Sequence, residues 1–421
     1  MANPFFRDPY EFGLIIAGSV GMFRSGKGAV YAAVSGGRAS DNWMPPLDGL
    51  RGLAIIIVML FHYGPMLNSH SAFQHGVMFV AQLGWTGVDL FFVLSGFLIT
   101  GILLDSRQAE NYFSSFYARR VLRIFPAYYF SLLIAFLLFP LLFPGIEHLS
   151  PPARERIWYF AYGQNWIGVL VDGARQRLIG HFWSLAIEEQ FYMIWPLIVY
   201  WNSTKRIARI AIGASLLSMV LRFVLLAIHV SPEVVYRNTF TRADSLLIGA
   251  ALASLLRDPS SLTFLRRYAK WTWIAPLVTL EVFREATRPF AYQAPGVQGL
   301  GYTLIALSYA ALVGGAVLTM GSGSLLQRFL CSGAMRMAGK YSYAAYIWHQ
   351  FARAIVLRIE LLLLHAQLPG TINLMLMFGA TLALSMGSYA LVERPFLALK
   401  GRFKVRFAEP AASKALAAAA D

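Results

Sequence analysis

An arginine and a histidine stand eleven positions apart in the apolar stretch LDGLRGLAIIIVMLFHYG: Arg51 and His62. Eleven residues turn an α-helix by about 1,100°, some 20° past three full turns, and advance it about 16 Å. Both side chains therefore share one helix face. A neutral imidazole is the natural general base near neutral pH. A guanidinium is a planar fork for phosphate or carboxylate oxygens. The pair suits a long anionic cofactor gripped at its head by Arg51 and reacting at its tip beside His62. Against this stands a snorkelling arginine and a histidine that only ties helices together.

Further polar residues interrupt apolar runs. GWTGVDLFFVLSGFLIT carries Asp89, and its Ser95–Gly96 pair lets a neighbouring backbone approach, with Ser95 open to packing or cofactor contact. FYARRVLRIFPAYY places Arg119, Arg120 and Arg123 together, as membrane anchors or as a phosphate grip. In HFWSLAIEEQFYMIWP, His181, Ser184 and Glu188 fall at i, i+3 and i+7, on one helical face. Glu188 and the adjacent Glu189 point to different faces, so one is expected to do chemistry while the other braces a neighbouring helix. A carboxylate there can orient a catalytic imidazole or hold a sugar hydroxyl. TRADSLLIG adds Arg242 and Asp244, expected to pair with each other or with Glu188 and Glu189. YSYAAYIWHQ sets Ser342, Tyr346 and His349 on one face, and YALVERPF carries Glu393 and Arg394. Metal-ligand spacing such as His-Glu-x-x-His, a phosphate-cradling glycine loop and the Gly-x-Ser-x-Gly elbow do not occur, so no metal is expected.

The elements that position these residues are membrane helices. The 421 residues are 57% hydrophobic and only 14% charged, where a soluble domain is about a quarter charged. The apolar runs reach the roughly 20 residues that a bilayer core requires, and they do not alternate as barrel strands do. The expected fold is all-α, a polytopic membrane protein with about ten transmembrane helices in one bundle. Spans are expected near 47–67, 84–104, 119–143, 182–201, 207–229, 240–256, 271–286, 298–320, 338–364 and 372–396. The segment 157–171 is short and polar in its middle. If it does not cross, the basic loops all fall on one side, so it is expected to be re-entrant or interfacial, with both termini cytoplasmic. Residues 1–45 read as a cytoplasmic or interfacial extension, 46–400 as the membrane domain and 401–421 as a basic, then alanine-rich tail that frays. The net charge of +15 is explained by the positive-inside rule and anionic headgroups, so no nucleic acid is expected as a partner. The single cysteine, Cys331, excludes an intramolecular disulfide.

Taken in order, LDGLRGLAIIIVMLFH, GVDLFFVLSGFLI, RRVLRIFPAY, HFWSLAIEEQFY, RADSLLIG, YSYAAYIWH and VERP resemble the acyltransferase-3 family of membrane O-acyltransferases. The likeness runs over about residues 45–400. It implies transfer of acetyl or a related acyl group from acyl-CoA to cell-surface glycans such as polysaccharide or lipopolysaccharide, in a bacterial inner membrane. Arg51 and His62 match the family's Arg-x10-His motif, with the histidine essential. Phe91, Phe92, Ser95 and Gly96 match Phe-Phe-x-x-Ser-Gly. Arg120 and Arg123 match Arg-x-x-Arg. Ser184, Leu185, Glu188, Gln190 and Phe191 match Ser-Leu-x-x-Glu-x-Gln-Phe. On this resemblance His62 and Glu188 are the expected catalytic residues, and Arg51, Arg120, Arg123 and Ser95 would hold acyl-CoA. His181, Glu189, Arg242, Asp244 and His349 are expected around a glycan or glycolipid acceptor. Many members carry a C-terminal soluble esterase-like domain, and no counterpart of it is expected here. A rival class is a flippase or transporter of glycan, lipid or acyl groups, with the same polar residues lining a path.

Overall fold

The computed structural model describes residues 44–67, 71–142, 151–167, 178–287, 290–364 and 368–407. Most of the N-terminal extension and of the tail, and the last four residues of 157–171, lie outside them. Among the described residues the regular structure is all helical.

The principal helices are α1 (Pro45–Tyr63), α2 (Ala72–Leu83), α3 (Gly87–Ser106), α4 (Tyr112–Leu133), α5 (Ala153–Phe160), α6 (Trp183–Trp201) and α7 (Thr204–Ala227). They continue with α8 (Pro232–Arg237), α9 (Thr239–Leu255), α10 (Pro259–Tyr268), α11 (Ile274–Ala286), α12 (Tyr302–Leu318), α13 (Gly333–Ile359) and α14 (Gly370–Ser388). Local chemistry sets several starts. Prolines occupy the first turn of α1, where the missing N–H costs nothing. Ser203, Asp258 and Ser332 accept backbone N–H bonds as N-caps of α7, α10 and α13.

Two helix layers meet at α1. In one, α3 lies along α9 and α9 along α7; in the other, α1 lies along α13 and α13 along α14. α1 also packs on α3, and α6 packs against the other side of α3. The α3–α9 approach depends on missing side chains. A Cβ on Gly96 would overlap the Leu246 carbonyl, and one on Gly249 would overlap the Val93 carbonyl. The expectation of close backbone approach at Ser95–Gly96 is met there.

Among the described residues, six helical stretches are long and apolar enough to cross a bilayer: Pro45–Met66, Gln74–Ser106, Tyr112–Leu141, Thr204–Ala227, Val297–Leu318 and Gly370–Phe403. A bent pair, Pro232–Leu255 with Pro259–Trp271 at 108°, makes a seventh if it is one span. The expected number of about ten is thus not reached on this criterion. Helices do form at the remaining expected positions, but α11 has only 13 residues, about 20 Å against a core of about 30 Å. α6 contains Glu188, Glu189 and Gln190, and α13 contains Lys340, Arg353 and Arg358; these same polar side chains lower their apolarity. In 157–171, α5 and the 3₁₀ turn Gln164–Trp166 are both too short to cross. Tyr128 and Tyr129 of α4 hydrogen-bond the carbonyls of Tyr159 and Phe160 and hold this segment against the bundle.

Burial separates the middle of the bundle from its lipid face. The central apolar window of Val297–Leu318 is 78% buried, while that of Thr204–Ala227 is 22% buried. Leu216, Leu217, Val220 and Phe223 of α7 point outward. This is a multi-pass membrane protein whose outer helices turn apolar side chains away from the protein.

Candidate active site

Three histidines from three elements converge where α1 ends. The His62 ring lies 4.8 Å from that of His349 on α13, and His349 lies 4.5 Å from His181. The Nδ1 of His62 is 2.9 Å from the Val58 carbonyl one turn back. A carbonyl only accepts, so this bond places the proton on Nδ1 and leaves Nε2 with its lone pair. His349 repeats the arrangement, with Nδ1 2.8 Å from the Tyr346 carbonyl. His349 is wholly buried behind the other two rings. Tyr63 braces it from α1 by donating to the His349 carbonyl at 2.8 Å.

His181 belongs to the 3₁₀ turn Gly180–Phe182 that leads into α6, and it meets the ring of Tyr346, the residue that Ser184 also bonds, so these two lie toward one partner as their spacing suggests. His181 also faces His349, and neither of its ring nitrogens has a hydrogen-bond partner of good geometry. Ser184 bonds the Tyr346 hydroxyl at 2.5 Å, and that hydroxyl donates to the His181 carbonyl at 2.9 Å. The motif serine thus fixes the turn that presents His181.

Glu188 stands in a second cluster. One of its oxygens accepts from Ser95 at 2.8 Å and the other from Tyr192 at 3.2 Å. The guanidinium of Arg120 lies 4.1 Å above the Tyr192 ring, and its charge reaches both Glu188 and Glu189. Glu188 makes no hydrogen bond to His62, so the ring is not oriented by this carboxylate but by the Val58 carbonyl of its own helix. Gln190 takes a structural part. It donates to the Tyr162 carbonyl and to Asn165, and accepts from Thr239, tying the 157–167 segment to α9.

The opposite end of α1 carries a basic cluster. Arg51 pairs with Asp48 at 3.3 Å. Arg123 of α4 lies within electrostatic reach of Arg51, Arg120, Glu393 and Asp48. Lys400 is 8% exposed and joins Arg119, Arg120 and Arg123. The sequence places Lys400 in a basic loop; the 3₁₀ turn Leu399–Phe403 folds it back onto α4. The Nε of Arg120 is buried without a hydrogen-bond partner. Guanidinium and ammonium groups gathered in this way suit a polyphosphate.

Arg242 and Asp244 do not pair with each other or with Glu188 and Glu189. Arg242 donates to Asp89 at 2.7 Å, and Asp244 accepts from Arg222 of α7 at 2.9 Å. Successive positions on α9 point to different neighbours, and each found an opposite charge on another helix. All four side chains are fully buried. They brace the bundle and are closed to an acceptor.

A cavity of about 550 Å³ opens beside the histidines. Its wall includes His62 and His181, the rings of Trp85, Trp183, Tyr236 and Tyr292, and the guanidinium of Arg353. Its size suits a sugar or another small molecule. The sequence reading passes over Arg353, although it stands four residues after His349 and therefore on the same face of α13. Arg222, the one arginine beyond the first two turns of α7, is likewise not singled out by spacing.

The family model described as an acyltransferase domain, acyltransferase-3, matches residues 45–390. The chain is 30% identical to the peptidoglycan O-acetyltransferase OatA of Listeria monocytogenes over 380 residues, 85% of this chain and 56% of that protein. It is 29% identical to the O-acetyltransferase OatA of Staphylococcus aureus over 374 residues, 85% of this chain and 57% of that protein. The chain therefore spans little more than half the length of these relatives. No solved structure matches it.

Proposed function

This chain belongs to the acyltransferase-3 family, and we propose that it moves an acyl group, acetyl in the simplest case, from acyl-CoA to a hydroxyl of an exported glycan. Peptidoglycan is the first acceptor to consider, because the relatives named above include a peptidoglycan O-acetyltransferase. The observation behind the proposal is the His62 Nε2, unprotonated by the Val58 bond and set in the wall of a cavity.

The bundle crosses a bacterial inner membrane ten times in this proposal, with both termini cytoplasmic. Arg51, Arg120, Arg123 and Lys400 then lie on the cytoplasmic side and take the phosphates of acyl-CoA. The thioester reaches towards His62 from that side, and the acceptor reaches it through the aromatic cavity. His62 Nε2 takes the proton of the acceptor hydroxyl as its oxygen forms a bond to the thioester carbonyl carbon. The carbon–sulfur bond breaks, and the proton passes to the departing CoA thiolate. A two-step path, with the acyl group first on the imidazole, uses the same atom. Glu188 positions the basic helix α4 through Tyr192 and Arg120.

Purified protein in lipid nanodiscs, given labelled acetyl-CoA and peptidoglycan fragments, tests this. Label on the glycan with equal release of free CoA is expected. Movement of acetyl groups or glycan across the membrane without CoA release would make the protein a transporter.

A further inference from the structure

We infer that the cavity beside His62 takes an anionic sugar, its carboxylate or phosphate bound by Arg353 while the ring lies against the aromatic wall. This rests on the acyl-transfer reading above and adds the chemical class of the acceptor.

Arg353 is the basis. It lines the cavity with His62, and its charge reaches that imidazole. Among the described residues it has no carboxylate within ion-pair distance, and its Nε is buried without a hydrogen-bond partner. Of the other arginines near by, Arg237 pairs with Glu233 at 3.0 Å, the deeper Arg222 and Arg242 each hold an aspartate, and Arg358, five residues further along α13, lines the same cavity and adds a second guanidinium to it. An uncompensated guanidinium inside a helix bundle is costly, and such residues mark binding sites and pathways. The surroundings specify what would bind. Trp85, Trp183, Tyr236 and Tyr292 line the same cavity, and aromatic side chains suit the C–H groups of a sugar ring. Along α13, Arg353 follows His349 by one turn, about 6 Å, and His349 is in ring contact with His62. The anion and the reacting hydroxyl therefore belong to one sugar or to immediate neighbours. Charge-assisted guanidinium bonds then supply both affinity and register.

The test compares acceptors that differ only in charge. Three probes serve: the peptidoglycan disaccharide with a free lactyl carboxylate, its carboxamide, and the disaccharide amide carrying a phosphate. Full-length protein in nanodiscs is assayed for CoA release and sugar acetylation, as wild type, Arg353→Gln and Arg353→Lys. The expected result is a KM at least tenfold lower for one charged form than for the amide in the wild type. The preference falls to within twofold in Arg353→Gln and is partly kept in Arg353→Lys. Which charged probe shows it tells carboxylate from phosphate. Equal use of charged and neutral sugars by the wild type overturns the inference and leaves acyl transfer standing. So does an equal fall in kcat on all probes in Arg353→Gln, which would make Arg353 a stabiliser of the tetrahedral oxyanion. No transfer to any sugar by the wild type overturns the acyl-transfer reading and this inference with it.

Discussion

Two buried polar systems lie within the same bundle, built from similar residues, and they are wired in opposite ways. The ion-pair system of α3, α7 and α9 is compensated in charge, although Asp89 Oδ2 and Arg242 Nε and Nη1 are buried without hydrogen-bond partners. Arg222 donates to the Thr241 and Gly299 carbonyls, to Asp244 and to Thr303. Asp89 accepts from Arg242 and from Ser245, and the rest of the Arg242 guanidinium stacks on the rings of Tyr302 and Tyr236. The histidine system of α1, the turn before α6 and α13 is open. His62 spends one nitrogen on Val58, His181 spends neither, and both face a cavity that also holds Arg353. The difference lies in charge: each aspartate of the first system faces an arginine, whereas the histidines and Arg353 stand at a cavity, Arg353 with no carboxylate within ion-pair distance among the described residues.

The largest effect should come from opening the contrast at His62. His62→Ala is expected to lower kcat for acyl transfer by about 10²–10⁴-fold, the usual contribution of a general base. A path through an acyl-imidazole predicts the complete loss. Thermal unfolding in detergent, followed by tryptophan fluorescence, should stay close to wild type. A collapse of the melting temperature without a kinetic defect in the folded fraction would assign the histidines to the bracing class.

The ion pairs should behave in reverse. Asp244→Asn leaves Arg222 charged, buried and without its carboxylate, at a cost of about 3–5 kcal/mol in stability. Replacing both partners, as Arg222→Met with Asp244→Leu, is expected to recover most of that loss, since paired burial of charge is close to neutral against an apolar substitute. The melting curves of the single and double variants check this. The KM for acyl-CoA should not change in either.

That division was only partly legible in the sequence. Helix positions were readable because apolar length and loop charge report directly on a bilayer. The shared face of Arg51 and His62 follows from one helical period inside one unbroken helix. What the sequence withheld was partner choice. The i, i+3, i+7 spacing of His181, Ser184 and Glu188 implies a single face, yet it does not say that Tyr346 of α13 is what His181 and Ser184 meet there, or that Glu188 bonds Ser95. Asp89 and Arg242 are 153 positions apart and pair only because glycines let α3 and α9 close on each other. Lys400 stands in sequence among the basic residues after the last apolar run, and only the turn Leu399–Phe403 brings it onto α4. Arg353 carried a usable sign, four residues beyond His349, yet its importance rests on the lack of a counter-ion, which spacing does not reveal.

Ser95 tests the border between the two systems, because it gives its hydroxyl to Glu188 across α3 and α6. Ser95→Ala removes one of two hydrogen bonds to that carboxylate. The expected loss is about 1.5–3 kcal/mol, the range for a bond to a charged group. If Glu188 only positions the basic helix, the loss appears as a raised KM for acyl-CoA with kcat nearly intact. A fall in kcat at unchanged KM would instead move Glu188 into the reacting constellation.

The smallest expected effect lies behind the histidines. Tyr63 donates to the His349 carbonyl and meets Thr381 at 2.7 Å, so it couples α1 to both α13 and α14. Tyr63→Phe keeps the ring and its contact with Phe378 and removes only the hydroxyl. Thr381 retains its bond to the Met377 carbonyl, so a single neutral hydrogen bond is at stake, about 0.5–1.5 kcal/mol. The melting temperature should fall by a few degrees while kcat stays within about threefold of wild type, because the Nδ1 bond that sets the His62 tautomer comes from Val58 and not from this side. A kinetic loss as large as that of His62→Ala, without a matching loss of stability, would mean that the rear wall of the open system sets the position of the reacting imidazole as firmly as its own helix does.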